Sequence, residues 1–105
     1  KIDRATKLYA KALKKLKRAY KDDKNNPDIL NYLGFTLRKT GKLNEAEKYY
    51  LEGLKIKPDH NGINEYLGEL YFNTGRIELA KERLAVLKSC NCEEYAELKE
   101  VIEKK

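Results

Sequence analysis

Apolar residues along this chain recur at spacings of three and four. From the N-terminus the stripe runs Ile2, Ala5, Leu8, Tyr9, Ala12, Leu13, Leu16, Ala19, Tyr20, which falls on one face of an α-helix. It predicts one long helix over about residues 2–22, stopped ahead of Asn25-Asn26-Pro27, because a residue that precedes proline is pushed out of helical geometry. Further stripes predict helices over about 28–40, 43–57, 61–74, 77–89 and 93–104, the last carried by Tyr95, Leu98, Val101 and Ile102. Only two Pro and six Gly occur in 105 residues, so long helices are permitted.

The pattern repeats at an offset of 34 residues. Ile29 falls on Ile63, Tyr32 on Tyr66, Leu33 on Leu67, Gly34 on Gly68, Thr40 on Thr74, Gly41 on Gly75 and Ala46 on Ala80. Gly34 and Gly68 stand inside predicted helices, where glycine costs about 1 kcal/mol against alanine. The return expected for that cost is close approach of a second helix, with Ala46 and Ala80 as the small partners. Gly41 and Gly75 follow the last apolar residue of a helix, as a left-handed C-terminal cap does. One residue, Lys42 or Arg76, separates each of them from the next helix, so each helix pair is predicted to be an antiparallel hairpin.

A helix–turn–helix period of this length is the signature of one repeat family. The first copy reads Leu30-x-x-Leu33-Gly34-x-x-Leu37, then Gly41, Ala46-x-x-x-Tyr50 and Pro58. The second reads Asn64-x-x-Leu67-Gly68-x-x-Tyr71, then Gly75 and Ala80-x-x-x-Leu84, with Asn64 in place of the large apolar residue and Cys92 in place of the closing proline. The chain resembles a small bacterial-type tetratricopeptide repeat protein. The resemblance implies an all-α solenoid of antiparallel helix hairpins, with about six helices in a single domain. Residues 1–26 would be a long first helix equivalent to half a repeat, 27–60 and 61–92 the two full repeats, and 93–105 a capping helix. A Glu-rich last helix suits a terminal repeat, which needs a polar outer face.

Composition adds limits. The chain is 41% hydrophobic with eight Tyr, richer in apolar groups than a disordered segment, although its mean hydropathy is −0.82. No apolar run approaches the roughly 20 residues of a membrane span. No signal-peptide pattern is visible, and the compartment expected is the cytoplasm. The net charge of +6 is unevenly placed: residues 1–24 hold ten basic groups and three acids. Lys7, Lys11, Lys14, Lys15 and Arg18 form a basic face on the first helix, and the last helix carries Glu93, Glu94, Glu97, Glu100 and Glu103. A basic helix allows nucleic acid or an anionic surface as the alternative partner. A basic head and an acidic tail also allow head-to-tail association of the chain with itself.

Catalytic chemistry has little material. There is one His, His60, one Ser, Ser89, and no glycine-rich phosphate loop, so an enzyme is not expected and no cofactor is implied. Cys90-Asn91-Cys92 is the most reactive feature. With His60 and Asp59 it forms a weak metal candidate, because thiolate, imidazole and carboxylate suit zinc. Its spacing is not a standard zinc pattern, Cys-x-Cys is a weaker redox cue than Cys-x-x-Cys, and Cys90 falls in the register of the apolar Ile56. No metal is therefore assigned.

In proteins of the resembled family the first helix of each repeat lines a concave groove that holds a peptide or protein. By that resemblance the groove-facing residues are Asn31, Phe35 and Arg38 from the first repeat and Glu65, Glu69 and Phe72 from the second, with Asn73 at the edge. One subclass clamps a peptide's terminal carboxylate with Lys, Arg and Asn. Here Glu65 and Glu69 would repel it, so a basic or aromatic partner is expected.

Overall fold

Helix ends in this chain are set by local chemistry that can be followed residue by residue. A computed structural model describes residues 4–104, and among these there are six helices and no strand. They are α1 (Arg4–Asp22), α2 (Pro27–Lys39), α3 (Leu43–Ile56), α4 (Asn61–Asn73), α5 (Ile77–Leu87) and α6 (Glu93–Glu103). The fold is all-α, as the periodicity predicts. Ile2, expected in the first stripe, lies outside the described residues.

Asn26 starts α2. Its Oδ1 accepts from the Asp28 N–H at 3.0 Å and the Ile29 N–H at 3.3 Å, and Pro27 takes the first helical position, where no N–H is missed. At the other end Gly41 adopts φ 85°. Its N–H donates to Arg38 O at 3.0 Å and the Lys42 N–H donates to Leu37 O at 2.9 Å, while Thr40 Oγ1 donates back to Leu37 O at 3.0 Å. The second copy is built alike: Gly75 has φ 82°, Arg76 N–H reaches Tyr71 O at 2.8 Å and Thr74 Oγ1 reaches Leu70 O at 2.8 Å. These are the predicted left-handed caps, and they turn α2 back on α3 and α4 back on α5.

The chain divides into two compact units, one ending at Ile56 and one starting at Lys57. In the first, α1 packs on α2, and α2 packs on α3. Leu30, Leu33, Leu37, Ala46 and Tyr50 are wholly buried. The group that crowds Gly34 is Tyr50, not Ala46: a Cβ added at Gly34 would stand 2.6 Å from Tyr50 Cδ1 and 2.7 Å from Cζ. The glycine is there so that a buried ring can lie against the α2 backbone. No residue of α1 is fully buried. It is tied to α3 near its C-terminus, where the Tyr20 hydroxyl donates to Glu52 Oε2 at 2.5 Å and the Tyr20 ring stands edge-on to Tyr49 at 5.7 Å. Accepting carboxylate, burial and nearby charge push the Tyr20 hydroxyl pKa up to about 12.

In the second unit α4 packs on α5, and α6 packs on both. The core holds Ile63, Leu67, Leu70, Ala80, Leu87 and Leu98. Gly68 faces α6: an added Cβ would meet Leu98 Cδ2 at 2.6 Å and Arg83 Cβ at 3.3 Å. Asn64, a departure from the repeat pattern, is fully buried and has its polar atoms matched. Its Nδ2 donates to Pro58 O at 3.0 Å and His60 O at 2.9 Å, and its Oδ1 accepts from Arg83 Nη1 at 2.8 Å. An apolar contact has been exchanged for a hydrogen-bonded post between the start of α4 and α5.

The Gly34–Tyr50 contact makes a test. Gly34→Ala is expected to destabilise the chain by about 1–3 kcal/mol through overpacking. In a Tyr50→Leu background the same change should cost at least about 1 kcal/mol less, since residues in contact are not additive. Urea denaturation of both single variants and the double variant checks this, and additive losses would show that the ring is not the obstacle.

Candidate functional site

The residues of greatest chemical interest in the second unit lie where α6 packs on α4. Glu65 is only 5% exposed. Its carboxyl pKa is raised to about 8, chiefly by burial, then by the hydrogen bond it shares with Glu69, then by the charges of Glu69, Glu97 and Glu94. Glu65 thus keeps its proton near neutrality, because a buried carboxyl beside other carboxylates is costly to ionise. Farther along the same pair of helices, half-buried Phe72 joins Asn73, Glu100, Val101 and Lys104 around an open cleft of about 450 Å³. The α4 face therefore combines an acidic end with an aromatic one.

In the first unit, α2 presents a different mixture. Phe35 is half-buried and carries two cations on its ring, Arg38 Cζ at 5.8 Å and Lys39 Nζ at 5.4 Å. Asn31 is buried, with 8% exposure, and its Oδ1 accepts no hydrogen bond. The family resemblance implies that Asn31 and Glu65 face a groove; in the structure both are buried within their own unit. Phe35, Arg38, Glu69 and Phe72 are half-buried. Tyr32, which sequence reasoning treated only as a repeat identity, is 57% exposed. Its fully buried neighbours Leu30 and Leu33 are the signal that would have placed it outside.

The α1 basic residues Lys7, Lys11, Lys14, Lys15 and Arg18 are all exposed, and Leu8 beside them is 59% exposed. No described helix is long and apolar enough to cross a membrane.

The weak metal candidates are differently engaged. His60 is buried and caps α4, its Nδ1 accepting from the Ile63 N–H at 3.1 Å. Cys90 and Cys92 are joined by a disulfide. Asp59 and Cys90 line one cleft, but His60 turns inward to the helix start. Among the described residues no group of three or more His, Cys, Asp or Glu could hold a metal ion.

Comparison with known proteins follows the same lines. Residues 4–62 match the Tetratricopeptide repeat family. The chain is 32% identical over 71 residues to the human protein O-mannosyl-transferase TMTC3, covering 68% of this chain and 8% of that protein. It is 32% identical over 90 residues to the TPR repeat-containing thioredoxin TTL4 of Arabidopsis thaliana, 86% of this chain and 13% of that protein. It is 36% identical over 67 residues to the TPR repeat-containing protein PA4667 of Pseudomonas aeruginosa, 64% of this chain and 11% of that protein. The chain therefore spans about a tenth of the length of these relatives.

The raised Glu65 pKa fixes the sign of a pH effect. The folded chain holds this proton more tightly than the unfolded chain, so the contribution of Glu65 to stability is greatest at low pH. It falls as pH rises from the ordinary carboxylate value of 4.5 towards about 8. Glu65→Gln removes the effect. The stability of the variant relative to wild type should rise between pH 5 and pH 8, by at most about 1.4 kcal/mol per pH unit. Urea denaturation of both proteins at pH 5, 6, 7 and 8 measures it, and parallel curves would contradict the assignment.

Proposed function

The chain belongs to the tetratricopeptide repeat family, and from that premise we propose that it is a protein-interaction module, not an enzyme. It would hold a peptide or protein partner on the first helix of each repeat, through Asn31, Phe35 and Arg38 of α2 and through Glu65, Glu69 and Phe72 of α4. This reading treats residues 1–105 as one repeat array, as the 34-residue period predicts, and its compartment as the cytoplasm.

The observation that carries it is the carboxylate group of Glu65, Glu69, Glu94 and Glu97 beside the Phe72 cleft. A partner Lys or Arg entering there would neutralise like charges that now oppose one another, and a partner aromatic ring would cover Phe72. A partner ending in a bare carboxylate would meet repulsion. In α2 the half-buried Phe35 and Arg38 would meet the partner. Binding of a cation would lower the Glu65 pKa and release its proton, so affinity should strengthen from pH 6 to pH 8.

Isothermal titration against a panel of short peptides, basic-aromatic against acidic, tests this. Glu69→Lys should weaken a basic-aromatic peptide by about tenfold, equivalent to about 1.4 kcal/mol. Phe72→Ala should weaken it to a similar degree. Equal binding of basic and acidic peptides, or no effect of either substitution, counts against the reading.

A second reading rests on the exposed lysines of α1: contact with nucleic acid or another anionic surface. It predicts a low-salt gel shift that disappears when Lys14, Lys15, Lys17 and Arg18 are neutralised, and an unchanged shift removes the helix from consideration. Light scattering of the pure chain tells whether the partner is a second copy.

A further inference from the structure

Neither reading uses the disulfide between Cys90 and Cys92. It spans a single residue, Asn91, which takes the left-handed conformation with φ 55°, a region that asparagine tolerates better than most side chains. The two Cα atoms are 5.1 Å apart.

A bond of this kind is a poor staple. The chain entropy removed by a cross-link grows with the loop it closes, and this loop is nearly the shortest possible. The elements on either side are already held. Leu87 at the end of α5 and Leu98 in α6 are 1% and 0% exposed, and Leu98 sits against Gly68. What the bond does have is access. Cys90 lines an open cleft of about 350 Å³ with Lys57, Asp59, Asn61, Val86 and Ser89, while Cys92 is not part of its wall. Lys57 and Asp59 pair across 3.5 Å at its rim, so an anionic attacker is not turned away by a net negative charge there.

The two sulfurs also differ as leaving groups. Cys92 is the N-cap of the 11-residue helix α6 and its side chain caps nothing. A thiolate released there would lie against the positive end of the helix, which favours it, although Glu93 and Glu94 in the same turn oppose it. Attack through the cleft on Cys90 would expel that thiolate.

We propose that Cys90–Cys92 is a thiol–disulfide exchange site that accepts electrons from a dithiol entering the cleft at Cys90. One thiol of the reductant, deprotonated by solvent, forms a bond to Cys90 Sγ. The Cys90–Cys92 bond breaks, and its electron pair leaves on Cys92 Sγ, which takes a proton from water. The second thiolate of the reductant then attacks its own sulfur in the mixed disulfide and expels Cys90 Sγ, which is protonated in turn. Two electrons and two protons pass to the chain, and the dithiol becomes a disulfide. In a reducing compartment a protein disulfide is ordinarily transient and redox-active rather than structural. The site does not depend on where a partner protein binds.

The test uses the full chain, oxidised in air-saturated buffer, with dithiothreitol as the dithiol. Thiol titration and intact mass should show the bridge opening in native buffer without denaturant. The melting temperature should change by less than about 5 °C between the two forms. In single-cysteine variants, with each rate divided by the thiolate fraction of that cysteine, Cys90 of Cys92→Ser should form a mixed disulfide with oxidised glutathione at least about tenfold faster than Cys92 of Cys90→Ser, since access then sets the rate. Four results would each overturn the proposal: two thiols that stay free in oxidising buffer, a bridge reduced only after unfolding, a melting shift above that limit, or equal trapping of the two variants. The wild-type measurements stand even if a variant fails to fold.

Discussion

The absence of a side chain at Gly34 and at Gly68 is the constraint on which both units depend. Each glycine lets a bulky group from another helix rest on helix backbone: the Tyr50 ring in one unit, the Leu98 methyl groups in the other. The helical cost of a glycine is about 1 kcal/mol, and fully burying a large apolar side chain contributes about 1.5–3 kcal/mol, so the exchange favours the fold. The same glycine position takes its partner from the second helix of the hairpin in the first unit and from α6 in the second. Tyr50 falls on Leu84 at the repeat offset, and Leu84 is only half-buried.

That docking has an electrostatic consequence. Bringing Leu98 against Gly68 carries Glu94 and Glu97 of α6 towards Glu65 and Glu69 of α4. Arg83, a nearby cation, is hydrogen-bonded to Asn64. The strain of crowded carboxylates is relieved by retaining a proton on Glu65. A local arrangement that costs stability is what a binding surface often carries, and here it accompanies the aromatic cleft at Phe72 on the same pair of helices.

Much of the fold was legible because the signals are local. Asn26-Pro27 begins a helix, and Thr40-Gly41 and Thr74-Gly75 end one, through atoms within five residues of each other. The 34-residue period then made two hairpins of four helices. The candidate site was less legible. Asn31 and Glu65 share one repeat position, yet their burial comes from packing that periodicity does not reveal. His60 is a ligand candidate by residue type, whereas its Nδ1 accepts from the Ile63 N–H. Asn64 read as a defect in the pattern, because its partners Pro58 O, His60 O and Arg83 converge only when α4 and α5 pack.

By itself, then, the order of residues determined the helices, the left-handed caps at Gly41 and Gly75, and membership of the repeat family, since each rests on backbone geometry or spacing along the chain. Tertiary structure alone decided which group fills the notch at each interior glycine, which carboxyl keeps its proton, and which cysteine faces a cleft. Those outcomes depend on desolvation and on contacts between helices far apart in sequence, and neither quantity is written in any local pattern.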